Sequence, residues 1–129
     1  MKKISQKEID NVIKLSPFER YQYTIKWIAD GEMMYSLAEN NNLAIAEIGD
    51  KKMLSLWSAA EYAQLSATGE WEGYEVMAIS IDRFATEIID LIDSEGYLLN
   101  IFSVGDKSGF IVDIKEFMKD LDDELGKYG

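Results

Sequence analysis

Apolar residues recur along this chain in two rhythms, and the switch between them marks the elements. Phe18, Tyr21, Ile25 and Ile28 stand three or four apart; so do Ile81, Phe84, Ala85, Ile88, Leu91 and Ile92, and so do Ile114, Phe117, Met118, Leu121 and Leu125. Each set lines one face of a helix. Between the first two sets lie short apolar-rich runs at 33–39, 43–48 and 53–56, separated by Asn40-Asn41-Asn42 and Gly49-Asp50-Lys51. Such turns join neighbouring antiparallel strands. Further strands are expected at 74–79, at 97–104, which is apolar on both faces as a central strand would be, and at 109–112. The last two would be joined through Gly105-Asp106-Lys107-Ser108.

Helix starts are marked by a Ser or Asp with Glu three residues later, each side chain capping the other's backbone amide. The pairs are Ser5/Glu8, Ser16/Glu19, Ser58/Glu61 and Asp113/Glu116, and apolar staples flank three of them: Ile4 with Ile9, Trp57 with Tyr62, Val112 with Phe117. Pro17 suits a first helical position, where its missing amide is no loss. Gly31 is expected to end the second helix, and Gly96 to end the main core helix that begins near Ser80. The order α-α-β-β-β-α-β-α-β-β-α has hairpins and no repeated βαβ unit. It predicts an α+β fold, a largely antiparallel sheet of about six strands with helices packed on its faces. A chain of 129 residues suits one domain, 1–129, with looseness confined to its first few residues and to 126–129.

Charge narrows the partners. Residues 1–30 carry six Lys/Arg and four Asp/Glu, whereas residues 31–129 carry seven and twenty, so a chain of net charge −11 holds −13 after residue 30. That sign repels phosphates and anionic lipids and attracts a basic protein. Neither nucleic acid nor a membrane is therefore expected as a partner. No apolar run is long enough to span a bilayer, and polar Ser5-Gln6-Lys7-Glu8 follows the basic start where a signal peptide needs an apolar core; a cytoplasmic location is expected. Solubility alone also accounts for an acidic surface.

With no histidine and no cysteine, triads, dyads and thiolate nucleophiles are impossible, as are zinc sites of the His/Cys kind. No catalytic residue, cofactor or metal is expected. Asp120, Asp122, Asp123 and Glu124 lie on a helix rather than in a calcium loop, and read as a solvated acidic face. What stands out is Ala67-Thr68-Gly69-Glu70-Trp71-Glu72-Gly73-Tyr74-Glu75, two large rings among three carboxylates between glycines. Three readings stay open. Glu70, Glu72 and Glu75 could be solvated while Trp71 plugs the core edge. Alternatively Glu70, Trp71, Glu72, Tyr74 and Glu75 form a recognition surface, since stiff aromatic rings dominate binding hot spots. A carboxylate pair beside a ring could also hold or cleave a sugar. Trp27 and Trp57 read as core, and Tyr21, Tyr23 and Tyr62 as half-buried with hydroxyls at the rim.

The combination of Phe18-Glu19-Arg20-Tyr21, Leu56-Trp57 with Glu61-Tyr62-Ala63, the 67–75 stretch and Ala78-Ile79-Ser80-Ile81-Asp82 with Phe84 resembles a family of small bacterial proteins known only as a domain of unknown function, DUF2750. The resemblance runs over 16–124. It implies a bacterial α+β domain and supplies no catalytic residue. The plan of strand, hairpin and two capped helices is more weakly similar to the group of the enhanced-serine-sensitivity protein and several toxin-immunity proteins. The expectation is a non-catalytic cytoplasmic interaction protein, immunity-type proteins included, that binds a basic protein through its acidic surface and the 70–75 loop. The alternative is a small-ligand or carbohydrate-binding or carbohydrate-acting protein using the same loop. A homodimer built by the N-terminal helices is a further possibility.

Overall fold

The computed structural model describes residues 4–104 and 107–127. The expected loose start and the end of the tail, at 1–3 and 128–129, lie outside the described residues, as do Gly105 and Asp106 of the expected turn. The fold is α+β. Helices α1 (Gln6–Val12) and α2 (Pro17–Gly31) lead into β1 (Met33–Glu39), β2 (Asn42–Leu43), β3 (Ile45–Ile48) and β4 (Lys51–Leu56). Then come α3 (Ala60–Leu65), β5 (Glu75–Ser80), and α4, which comprises Ile81–Arg83, a π segment Phe84–Ile88 and Ile89–Glu95. The chain closes with β6 (Leu98–Ile101), β7 (Phe110–Val112) and α5 (Ile114–Gly126).

The strands form two sheets, of order β2-β1-β5 and β3-β4-β6-β7, rather than one sheet of six. The run expected as one strand at 43–48 divides at Ala44, whose amide donates to Leu37 while the chain passes from β1 to β4. Ala44 is buried, so the corner takes a small side chain. Every ladder is antiparallel except β4 with β6, which run parallel because α3, β5 and α4 form the crossover between them. A bridge between Tyr35 and Trp57 links the two sheets. The helices and both sheets share one core cluster containing Ile28, Met34, Leu56, Trp57, Ile79, Phe84, Ile92, Leu99, Phe117 and Leu121.

Ser16 and Glu19 form the full reciprocal box, whereas Ser5 and Asp113 each cap the amide of Glu8 and Glu116. Glu8 turns its carboxylate away to the hydroxyl of Tyr23, so the first box is half made. Ser58 caps nothing. Trp57 is held extended by its bridge to Tyr35, so α3 starts only at Ala60, and Glu61 accepts from the amide of Ile4 instead. At the end of α2 the left-handed residue is Glu32 (φ 56°), one beyond Gly31. Gly96 ends α4 at φ 69° as expected.

Two apolar stripes also need correction. In α4 the π segment widens the turn, so Phe84, Ile88 and Ile92 are buried four apart, while Ala85 and Leu91 rotate out to solvent. In α2, Tyr21, Ile25 and Ile28 are buried but Phe18 remains 50% exposed. The helix α5 continues through Gly126, within the tail expected to be loose.

The strand expected over 97–104 stops at Ile101 because Phe102 takes a left-handed φ of 61°. Val104 and Lys107 pair as a hairpin end, and Gly109 then returns against β6. A Cβ on Gly109 would lie 2.1 Å from the carbonyl oxygen of Ile101 and 2.8 Å from Oδ1 of Asn100, which itself accepts the Gly109 amide. Backbone cannot yield there. Gly109→Ala is therefore expected to lose roughly 2–4 kcal/mol in urea unfolding. Gly126→Ala, with nothing within 4 Å of the new atom, should instead leave stability unchanged or slightly raised.

Candidate functional site

The 70–75 loop is set by two left-handed glycines, Gly69 (φ 60°) and Gly73 (φ 88°), which bracket a 3₁₀ turn over Gly69–Trp71. The amides of Trp71, Glu72 and Tyr74 donate to Thr68, Gly69 and Trp71 at 3.0, 3.2 and 3.0 Å. Those bonds fix which way each side chain leaves the turn. Trp71 and Tyr74 are half-buried and packed on the core, whereas Glu70, Glu72 and Glu75 are exposed. Among the described residues none of the three carboxylates is held by a side-chain hydrogen bond or ion pair. Beside Gly73 and Glu75 opens a shallow concavity of about 460 Å³, walled by Glu39, Asn40, Asn41 and Arg83.

A second meeting of rings and carboxylates escapes sequence reasoning. Phe18 on α2 meets Phe110 of β7 edge-on with centroids 5.2 Å apart, and Tyr21 lies 4.9 Å from Phe110 and 6.3 Å from Phe18. Tyr21 donates to Asp120 of α5 at 2.6 Å. Asp120 is thus tied down rather than solvated, and Glu124 pairs with Lys127 at 3.2 Å. The sequence held both halves of this surface, an apolar stripe starting at Phe18 and an acidic helix face, but nothing local relates positions 18 and 110.

A family model described as "Protein of unknown function (DUF2750)" matches residues 21–121. No curated protein and no solved structure matches the chain significantly. Among the described residues, no group of three acidic side chains is arranged to hold a metal ion, and no helix is long and apolar enough to cross a membrane.

Two of the three tyrosines expected to be half-buried lie deeper. Tyr21 and Tyr62 are buried and only Tyr23 is half-buried. The Tyr23 hydroxyl donates to Glu8 at 2.5 Å, so the 2.9 Å contact with the Tyr62 hydroxyl must have Tyr62 as donor. Trp57 is fully buried and donates from Nε1 to the Ser103 carbonyl, whereas Trp27 is half-buried against Tyr23 and not core. Burial is the first cause that lifts the three tyrosine hydroxyls above their ordinary value; it is reinforced by the bond and charge of Asp120 at Tyr21, and by the bonds to Glu8 and Tyr62 at Tyr23. At Tyr62, the bond to Tyr23 opposes the rise. These groups hold their protons more tightly folded than unfolded. Their contribution is whole below a pH of about 10 and is lost as pH rises above it, by at most about 1.4 kcal/mol per pH unit for each tyrosine. Ultraviolet titration should show Tyr21, Tyr23 and Tyr62 ionising only with unfolding, and Tyr21→Phe should flatten the alkaline loss of stability. A smooth titration of every tyrosine near pH 10 without unfolding contradicts this.

Proposed function

This chain belongs to the DUF2750 family, whose description names no activity, and we propose that it is a cytoplasmic, non-catalytic interaction protein that binds a basic protein partner. The observation that carries this reading is the division of labour in the 70–75 loop. Trp71 and Tyr74 are anchored on the core while Glu70, Glu72 and Glu75 stand in water without partners of their own among the described residues. A rigid turn presenting three carboxylates needs little ordering on binding, and those charges would steer a basic surface toward it. The net charge of −11 acts in the same direction at longer range. Neutralising a basic toxin, as an immunity protein does, is one role such a surface would serve. The absence of histidine and cysteine supports binding over turnover, because no side chain with an ordinary pKa near neutrality is present.

A second reading, a small polar or carbohydrate ligand, is favoured by the concavity beside Gly73 and Glu75, whose walls mix amides, carboxylates and the Arg83 guanidinium. Arg83 is already paired with Glu87 at 2.9 Å, which leaves it less free to meet a ligand.

Capture on the immobilised protein from a lysate of its source separates the two. The expected partner is basic, is released as salt approaches about 1 M, where screening leaves charges blind beyond roughly 3 Å, and is lost when Glu70, Glu72 and Glu75 are all changed to Gln. Equal capture by that triple variant contradicts the reading. Reproducible thermal stabilisation by a glycan or metabolite, abolished by Asn41→Ala, decides for the alternative.

A further inference from the structure

We infer that the trough between α2 and α5 is a separate docking surface, shaped for an arginine-bearing segment of a partner polypeptide. It shares no residue with the 70–75 loop and stands independently of it. Two concavities, of about 450 Å³ and 380 Å³, both border Phe18, Tyr21 and Asp120, so they form one trough crossing the bond between Tyr21 and Asp120. Its floor is aromatic. Phe18 is 50% exposed although its ring is held against Tyr21 and Phe110, and Ile111 beside it is 38% exposed. A large ring already fixed by two others offers its free face without losing further rotamer freedom.

The walls select the occupant. Asp113, Glu116, Asp120, Asp123 and Glu124 border the trough, against only Lys26 and Lys127. Glu124 is paired with Lys127, Asp113 caps α5 and Asp120 holds Tyr21. Glu116 and Asp123 are exposed and form no ion pair among the described residues. The exposed Phe18 ring beside two unengaged carboxylates suits a guanidinium, which stacks on an aromatic face and bonds a carboxylate through its planar edge; an ammonium, a more strongly hydrated point charge, does both less well. A nucleic acid would be repelled, and a second copy would set carboxylate against carboxylate.

The probes are a fluorescent peptide of alternating arginine and serine and its lysine counterpart, titrated at low salt by anisotropy. The arginine peptide should bind more tightly, and Phe18→Ala should weaken it about three- to tenfold, to the level of the lysine peptide. Phe18→Leu, which keeps the apolar contact and removes the π face, should do the same, so a folding defect is not mistaken for the effect. Changing Glu116→Gln together with Asp123→Asn should weaken both peptides and flatten their salt dependence. The triple Gln variant of the 70–75 loop should bind the arginine peptide like the unaltered protein; if it loses the peptide, the loop reading stands and the trough assignment falls. Equal binding of both peptides indifferent to Phe18, absence of binding, or a self-association abolished by Phe18→Ala would each overturn the assignment.

Discussion

One buried guanidinium holds the architecture in register. Arg20 is 3% exposed and donates from Nε to the Phe102 carbonyl at 3.1 Å, from Nη1 to Leu15 at 2.6 Å and from Nη2 to Ser108 at 3.0 Å. It thereby ties the entry to α2, the end of β6 and the approach to β7 into one knot. Burial lowers its pKa, yet arginine remains charged at any pH where the fold exists, and three carbonyl dipoles are its compensation. The carbonyl it takes from Phe102 belongs to a buried residue at φ 61°, a conformation that costs a non-glycine residue about 1–2 kcal/mol. The Arg20 bond, with the Phe102 amide donating to Leu56 at 2.9 Å, holds that backbone in place.

The consequences reach the surface. Because Arg20 sits between Phe18 and Tyr21 on α2, fixing its head against Phe102 and Ser108 brings both rings over Phe110. Asp120 of α5 then receives the Tyr21 hydroxyl. Sheet, helix pair and acidic-aromatic trough share that fastening. The 70–75 loop is held differently, through its own glycines and through rings resting on the core, so the two acidic surfaces can vary independently.

Local chemistry was legible in the sequence and distant chemistry was not. The Ser16/Glu19 box, the caps at Ser5 and Asp113, the helix start near Ser80, the stop at Gly96 and the Asn40-Asn41 turn, with φ of 52° and 68°, depend on residues a few positions apart. Ser58 carries the same signature and fails, because Trp57 answers to Tyr35 in another strand. The phase of α4 misleads because a π segment has no signal in a 3.6-residue pattern. The parallel pairing of β4 with β6 hides behind a crossover that reads as separate hairpins. Nothing local marks Arg20 for burial, since its partners Phe102 and Ser108 lie 82 and 88 residues away. For the candidate site, the composition of the 70–75 loop was visible, and Trp71 at the core edge with its glutamates in water was one of three readings left open; the structure has that arrangement, with Tyr74 inward as well, set by the left-handed glycines. The trough was invisible because its aromatic half reads as core and its acidic half as a solvated face.

Urea unfolding of Arg20→Met tests this dependence most directly. The substitution keeps much of the apolar stem and removes all three donated bonds, so the account predicts a loss of about 2–4 kcal/mol, because carbonyls left without donors in a buried setting are expensive. A change below about 1 kcal/mol, no more than the average point substitution costs, would contradict it and show that the α2 end of the fold is held by packing alone.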